Sequence, residues 1–269
     1  MAATAFEAIR RFAAVLWLID LDGVVWRYTT LIEGSDDGIA LVRSAGDPIR
    51  FVTNNSTLTR AQYVEKLAGM GIAAAEEEII TSGMALARCI NPGERVLGIG
   101  EDGLLDELKA AKCELVVPRS LEDAMQAETV ALGWYRKFSY VDMSNACVAI
   151  RNGARFLATN QDPTYPLESL IVPGTGALVA SVIASTGVTP EYAGKPGAAM
   201  VDLVKELAGE STLMIGDRLT TDGTFAKLLG VDFAWVASGI EEEPDASIPV
   251  SIKAPNLLEA VRTRLGQGR

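Results

Sequence analysis

Short apolar runs alternate along this chain with segments in which apolar residues recur at helical spacing. The run at 15–19 is uninterrupted, as expected of a strand that is buried on both faces of a parallel sheet. The segments at 49–53 and 212–215 are also strand-like. Helical patterns stand between the runs, for example at 61–71, where Thr59 can cap the first turn. This alternation predicts an α/β fold with a doubly wound parallel sheet.

The middle of the chain begins a second alternating series. Residues 91–94, with the sequence Asn-Pro-Gly-Glu, interrupt the pattern and form a candidate domain boundary. Strand-like runs follow at 95–99, 129–132 and 155–159, with helical segments between them. From residue 194 onward the chain returns to the first pattern. The 269 residues are enough for one large domain or two modest ones.

The composition excludes several classes of function. Acidic residues outnumber basic ones by 35 to 24, and the net charge of −11 argues against nucleic acid or an anionic membrane as a partner. The chain has no histidine, which excludes a Ser-His-Asp triad, a histidine general base and a histidine-ligated zinc site. No segment reaches the roughly 18 apolar residues of a membrane span.

The three cysteines, Cys89, Cys113 and Cys147, are far apart and form no CxxC motif. They are typical of buried free thiols in a reducing cytosol. The apolar stretch near the N-terminus ends at Asp20 without a small-residue cleavage site, so a signal peptide is not expected. We therefore expect a cytoplasmic protein.

Charged and polar residues follow several of the apolar runs directly. They are Asp20 and Asp22, Thr53 with Asn54 and Asn55, Lys195, and Asp217 with Asp222. Because the carboxyl ends of parallel strands meet at one edge of a sheet, these groups are expected to converge. Carboxylate oxygens suit Mg²⁺, and an ammonium group can offset the charge of a phosphoryl group. The pattern predicts phosphoryl transfer with a magnesium ion.

Six motifs extend this interpretation over nearly the whole chain. They are DLDGV at 20–24, FVTNNST at 51–57, ATNQD at 158–162, PGTGAL at 173–178, GKP at 194–196 and GDRLTTD at 216–222. Together and in this order they resemble the haloacid dehalogenase (HAD) superfamily phosphatases with a class IIA cap, the group that includes NagD-like proteins, p-nitrophenylphosphatases and phosphoglycolate phosphatases. The resemblance implies a HAD-like Rossmannoid core formed by residues 1–93 and 189–269. Residues 94–188 would be an inserted α/β cap domain of the C2a type.

The resemblance also implies catalytic roles. Asp20 would be the nucleophile that forms an aspartyl-phosphate. Asp22 would protonate the leaving oxygen and then deprotonate water. Lys195 would hold Asp20 and the phosphate. The phosphoryl group would be bound by the turns that follow the strands, at Gly23, Thr53, Asn54 and Asn55.

A magnesium site is implied by the same resemblance. Its residues would be Asp20, Asp22, Asp217 and Asp222. Asp217 would be a direct ligand, and Asp22 would contribute its backbone carbonyl. Asp222 would act through a metal-bound water or by orienting Lys195. The metal could be Mg²⁺ or Mn²⁺, since both accept oxygen ligands.

The predicted cap departs from the family pattern at one place. Many relatives carry an aspartate soon after the strand at 131–133, where this chain has Trp134, Tyr135 and Arg136. Trp134, Tyr135 and Tyr165 are candidates for lining the leaving-group pocket. The alternative is that they pack in the cap core or at a cap–cap interface. For Arg218, contact with Asp22, contact with a cap residue and a surface ion pair all remain open.

The predicted function is Mg²⁺-dependent hydrolysis of a small phosphorylated metabolite by a cytoplasmic monomer or a homodimer formed through the cap. Candidate substrates are p-nitrophenyl phosphate, phosphoglycolate, glycerol phosphate, a sugar phosphate and a nucleoside monophosphate. One alternative is a phosphotransferase or mutase that uses the same aspartate. The other is a non-catalytic sensor of phosphometabolites, which would not need both Asp20 and Asp22.

Overall fold

The computed structural model describes residues 14–166, 170–209, 211–239 and 243–266. Its strands are Leu16–Ile19 (β1), Trp26–Arg27 (β2), Thr30–Leu31 (β3), Ile49–Thr53 (β4), Ile79–Thr81 (β5), Arg95–Ile99 (β6), Glu114–Leu115 (β7), Thr129–Leu132 (β8), Arg155–Ala158 (β9), Thr164–Pro166 (β10), Ile171–Pro173 (β11), Glu191–Tyr192 (β12), Thr212–Gly216 (β13), Asp232–Val236 (β14) and Ile252–Ala254 (β15). Its α-helices are Ser35–Ser44 (α1), Arg60–Gly69 (α2), Ser82–Ala87 (α3), Asp102–Ala110 (α4), Leu121–Ala124 (α5), Tyr140–Arg151 (α6), Thr175–Thr186 (α7), Ala198–Lys205 (α8), Thr224–Leu229 (α9) and Leu257–Gly266 (α10).

The first sheet has six parallel strands in the order β15-β14-β13-β1-β4-β5. The apolar run of β1 lies at its centre, where Ile19 pairs with Ile215 of β13 and with Phe51 of β4. The three strands therefore end side by side. Asp20, Thr53 and the residues after Gly216 emerge at the same edge, as the positions of polar residues predicted.

Helices cover both faces of this sheet. Trp17 and Ile19 of β1 lie in an apolar cluster that includes residues of α1, α2 and α10. Leu18, between them, points to the opposite face and lies in a second cluster with residues of α3, α8 and α9. Since side chains alternate along a strand, a strand buried on both faces needs continuous apolar residues. The predicted doubly wound α/β fold is confirmed.

The second sheet has five parallel strands in the order β12-β9-β8-β6-β7. One face packs against α6 and α7 through a cluster that includes Val130, Ile150 and Val182. Ala131 and Leu157, on the other face, belong to the second cluster of the first sheet. The two sheets are therefore joined by a continuous apolar core.

The strand Glu191–Tyr192 pairs with β9, so the second sheet ends at residue 192. The predicted segment 94–188 omits this strand, because a pair of residues is too short to give a periodic signal. Two hairpins were also missed for the same reason. They are the antiparallel pairs β2–β3 and β10–β11, of which the second replaces a predicted turn-rich loop. None of the described helices is long and apolar enough to cross a membrane.

Candidate active site

A cavity of about 760 Å³ opens at the carboxyl ends of β1, β4 and β13. The second sheet's connections, including Trp134 and Asp162, form its opposite wall. Ten of the predicted site residues line it: Asp20, Asp22, Gly23, Thr53, Asn54, Asn55, Trp134, Tyr165, Lys195 and Asp217. The structure therefore brings together groups that are separated by up to 197 positions in the sequence.

The most buried cation of this site is Lys195, with 3% of its surface exposed. Its Nζ lies 2.7 Å from Asp20 Oδ1 and 2.7 Å from Asp222 Oδ1, and it donates to the carbonyl oxygen of Val52 at 2.7 Å. Burial opposes the charge on Lys195, but Asp20 and Asp222 outweigh burial and raise the pKa of the lysine above its ordinary value. The ammonium group is therefore charged and fixed against Asp20.

Three buried carboxylates lie next to one another, since Asp20, Asp217 and Asp222 each have an oxygen within 4.8 Å of the others. Burial raises the pKa of Asp20 well above its usual range, Lys195 opposes this shift, and Asp222 and Asp217 add to it. A hard cation would relieve this repulsion, and carboxylate oxygens are the ligands that such a cation prefers. The residues present thus fit a magnesium ion.

Asp217 is enclosed by backbone on two sides. A Cβ added to Gly23, which has a φ of +89°, would lie 2.5 Å from Asp217 Oδ2, and one added to Gly239 would overlap the same oxygen. The indole of Trp235 donates to the backbone oxygen of Asp217 at 2.9 Å. Only glycine leaves room for the carboxylate at positions 23 and 239, and the importance of Gly239 was not recognised from the sequence.

Asp222 lies behind Lys195 and not on the cavity wall. A turn of π-helix at Leu219–Gly223 returns the chain to the end of β13, where the Asp222 carboxylate accepts a hydrogen bond from the backbone N–H of Arg218 at 3.2 Å. The carboxylate is thus positioned to hold Lys195 from the side opposite the cavity.

The loop after β4 uses its amide side chains within the protein. Asn54 Nδ2 donates to the backbone oxygen of Lys195 at 2.9 Å, and the backbone oxygen of Asn54 accepts from Ser82 and Asn160 at 2.6 and 2.8 Å. Asn55 N donates to Thr53 Oγ1 at 3.0 Å. Asn54 was predicted to bind phosphate, but its side-chain nitrogen is engaged in holding the lysine loop.

Asp22 has a hydrogen-bond partner that sequence reasoning missed. Trp26 Nε1 donates to Asp22 Oδ1 at 2.9 Å, while Asn55 Nδ2 lies 3.5 Å from Asp22 Oδ2. Burial and then the charge of Asp22 raise the pKa of Tyr165 above its ordinary value. An indole four residues after the second acid of the DLDGV motif is the signal that was overlooked.

Two of the three predicted aromatic residues line the cavity. The rings of Trp134 and Tyr165 lie 4.7 Å apart, and Trp134 Nε1 donates to the backbone oxygen of Pro173 at 3.0 Å. The side chain of Tyr135 packs against the apolar cluster of the second sheet and does not line the cavity, which matches the packing alternative left open for it.

Comparisons with known proteins agree with this arrangement. Residues 17–114 match the family described as haloacid dehalogenase-like hydrolase, and residues 192–260 match a second model described as HAD-hydrolase-like. The 5'-nucleotidase YutF of Bacillus subtilis is 34% identical over 83% of this chain and 87% of its own length. The acid sugar phosphatase of Staphylococcus aureus is 34% identical over 91% of this chain and 96% of its own.

A solved structure gives the same result. The glycerol phosphate phosphatase of Mycobacterium tuberculosis, in a complex with magnesium, is 30% identical, with a TM-score of 0.83 over 92% of this chain and 76% of its own. These similarities confirm the predicted fold class, the resemblance stated from the motifs and the prediction of a hydrolase. The chain therefore belongs to the haloacid dehalogenase-like hydrolases.

Proposed function

We propose that this protein is a Mg²⁺-dependent phosphatase that hydrolyses small phosphomonoesters through an aspartyl-phosphate on Asp20. The observation that carries this proposal is the pair of 2.7 Å contacts that Lys195 makes with Asp20 and Asp222 at the bottom of the cavity. A buried carboxylate that is fixed by a lysine and exposed to a cavity can attack an electrophile. The names of the similar proteins support phosphomonoesters as substrates.

The reaction has two steps. In the first, an oxygen of Asp20 attacks phosphorus, the ester P–O bond breaks with its electron pair going to the leaving oxygen, and Asp22 gives that oxygen a proton. In the second, a water oxygen attacks the same phosphorus and loses a proton to Asp22. The bond between Asp20 and phosphorus then breaks, which restores the carboxylate and releases phosphate.

The remaining residues bind and orient the reacting groups. Lys195 offsets the negative charge that accumulates on the phosphoryl oxygens. Thr53 and the turns that carry Gly23 and Asn55 bind those oxygens. Asn54 holds the lysine loop through its bond to the Lys195 carbonyl.

Asp20, Asp217 and the backbone carbonyl of Asp22 would hold Mg²⁺, with Asp222 near enough to act through a water or through Lys195. The bound ion supplies positive charge beside the phosphoryl group. The cluster contains more carboxylates than cations, and an excess of buried negative charge is costly without a counter-ion.

The substrate is a small phosphorylated metabolite, and the cavity wall favours a sugar phosphate, glycerol phosphate or a nucleoside monophosphate. Trp134, Tyr165 and Tyr28 offer ring faces, and Thr164 and Thr175 offer hydroxyl groups. The 760 Å³ of the cavity leaves room for a leaving group larger than glycolate.

The catalytic core would consist of residues 1–93 and the chain after the second sheet, and the cap of residues from 94 to the end of β12. The cap would select the leaving group and exclude water. We place the enzyme in the cytoplasm, as a monomer or a homodimer formed through the cap, without a nucleic acid or membrane partner. The net charge of −11 and the free thiols of the three cysteines support this placement.

The experiment that tests this function is phosphate release from a panel of phosphomonoesters, with Mg²⁺ and with EDTA. Phosphate release that requires Mg²⁺, at rates that differ between the leaving groups, would support the proposal. Transfer of the phosphoryl group to an added sugar or alcohol, in place of free phosphate, would support a phosphotransferase. Binding of the panel compounds without turnover would support a sensor.

A further inference from the structure

We propose that Trp26 is a positioning residue that determines which oxygen of Asp22 carries the catalytic proton. This inference rests on the proposed role of Asp22 as the acid for the leaving oxygen. Its basis is the 2.9 Å hydrogen bond from Trp26 Nε1 to Asp22 Oδ1.

The Trp26 indole is held by the core of the protein and not by the site. Trp26 is fully buried and does not line the cavity, whereas Asp22 does. Its ring lies parallel to that of Tyr63, with the centroids 6.4 Å apart, and the Lys66 Nζ lies 3.9 Å from the ring centroid. Turning the indole would disrupt these contacts, so the direction of its N–H is fixed.

The backbone fixes the same relationship. Gly23 N donates to the Trp26 oxygen at 2.7 Å, and Trp26 N donates to the Leu21 oxygen at 3.2 Å. Asp22 lies inside this tight turn. The carboxylate and the indole therefore move as one unit with the end of β1.

The indole N–H can only donate a hydrogen bond, so Asp22 Oδ1 must accept. While this hydrogen bond is present, the proton of protonated Asp22 lies on Oδ2. Oδ2 faces Asn55, whose Nδ2 is 3.5 Å away, and both Asn55 and Tyr165 line the cavity. Trp26 thus directs the proton toward the space where the leaving oxygen must lie, and it prevents the carboxyl group from turning its proton into the core.

Phenylalanine at this position would keep most of the apolar packing but could not donate. The defect is measured on kcat/KM, because that ratio reports the first step, whereas the second step, in which Asp22 accepts a proton from water, is common to all substrates. Alkyl phosphates need a proton on the leaving oxygen, whereas p-nitrophenolate leaves as a stable anion. Since a general acid contributes about 10²–10⁴-fold, we expect Trp26→Phe to lower kcat/KM for glycerol phosphate about 10- to 100-fold and to change kcat/KM for p-nitrophenyl phosphate by less than about threefold.

Two further variants make the test decisive. Trp17→Phe removes an equally buried indole that donates to a carboxylate, Asp47 Oδ2 at 3.1 Å, away from the cavity wall. It should cost similar stability, measured by thermal unfolding, and leave the ratio of the two kcat/KM values unchanged. Asp22→Asn should change that ratio in the same direction as Trp26→Phe, and by more.

The outcomes separate the inference from the function on which it rests. A selective loss in Trp26→Phe and Asp22→Asn, with none in Trp17→Phe, supports the inference. A selective loss of kcat/KM in Asp22→Asn alone overturns the inference and leaves the proposed function standing. In that case Trp26→Phe would lower kcat/KM equally for both substrates or for neither. Equal losses of kcat/KM in Asp22→Asn for both substrates would contradict the proposed role of Asp22 as the acid of the first step.

Discussion

Arg218 Nη1 lies 3.1 Å from Asp162 Oδ1. This ion pair joins the end of β13, directly after Asp217, to the segment between β9 and β10. Both side chains line the cavity and are mostly buried. Burial raises the pKa of Asp162, and the charge of Arg218 opposes that shift. Of the three partners that the sequence left open for Arg218, the structure selects the residue of the predicted cap.

Asp162→Asn should therefore weaken the attachment of the segment between β9 and β10 to the end of β13 at the cavity. We expect KM to rise about tenfold or less, since 1.4 kcal/mol corresponds to a factor of ten and a partly exposed pair is screened by water. The change in kcat should be smaller. Glu259→Gln, which breaks the exposed Arg262–Glu259 pair on α10, serves as the control. A KM equal to that of the control would show that the pair does not hold the segment between β9 and β10 at the cavity.

Lys195→Met should disable the enzyme and destabilise it near neutral pH. The substitution keeps the length of the side chain but leaves Asp20 and Asp222 without their shared cation. Breaking a buried ion pair costs about 3–5 kcal/mol, and phosphate release should fall by at least about a thousandfold. Steady-state kinetics and thermal unfolding at pH 7 measure the two effects. Activity within tenfold of the unaltered protein would contradict the role assigned to Lys195.

The loss of stability in Lys195→Met should depend on pH. Burial and the neighbouring carboxylates already raise the pKa of Asp20, and removal of the ammonium group raises it further. A raised pKa in the folded state means that stability is present at low pH and is lost as the pH rises through that pKa. The variant should therefore recover part of its thermal stability at pH 5. An equal deficit at pH 5 and pH 7 would argue against this electrostatic origin.

Gly239→Ala should abolish magnesium binding while the fold is retained. The new Cβ would overlap Asp217 Oδ2, so the carboxylate would have to leave its position. Gly69→Ala is the matched control, because nothing lies within 4 Å of a Cβ at that glycine. Calorimetric titration with Mg²⁺ and thermal unfolding of both variants provide the readouts. Unchanged magnesium affinity in Gly239→Ala would exclude Asp217 as a ligand.

Magnesium should stabilise the protein more at pH 7 than at pH 5. At low pH the metal-free cluster retains a proton, because burial first and then Asp222 and Asp217 raise the pKa of Asp20. Binding of a cation requires the charged carboxylates, so a proton must leave as the ion binds. The increase in the thermal midpoint with added Mg²⁺, measured at both pH values, checks this. An equal increase at the two pH values would mean that no carboxyl group with a raised pKa belongs to the metal site.

Buried strands could be predicted from the sequence because each is a short run of mostly apolar residues. The runs at 49–53, 95–99, 129–132 and 232–236 coincide with β4, β6, β8 and β14. The same reasoning brought Asp20, Thr53 and Asp217 together, because parallel strands end at one edge, whereas Lys195 follows β12 of the second sheet. Short hairpins gave no signal, since two or three residues do not define a period.

The finer contacts of the site could not be predicted, because they depend on which way a side chain turns. Asn54 was expected at the phosphate, yet its amide holds the backbone of Lys195. Tyr135 was a candidate for the leaving-group pocket or for the cap core, and it packs into the second sheet. Trp26 was not singled out, although it donates to Asp22. Each outcome follows from a turn or a strand end whose geometry the residue types alone do not specify.

The account depends most on covalent catalysis by Asp20. The direct measurement is mass spectrometry of enzyme that is quenched in acid during turnover of a phosphomonoester with Mg²⁺. We predict that the peptide containing Asp20 carries one phosphoryl group, and that Asp20→Asn neither gains this group nor releases phosphate. Steady release of phosphate by Asp20→Asn, with no phosphoryl group on the Asp20 peptide of the unaltered protein, would contradict the mechanism.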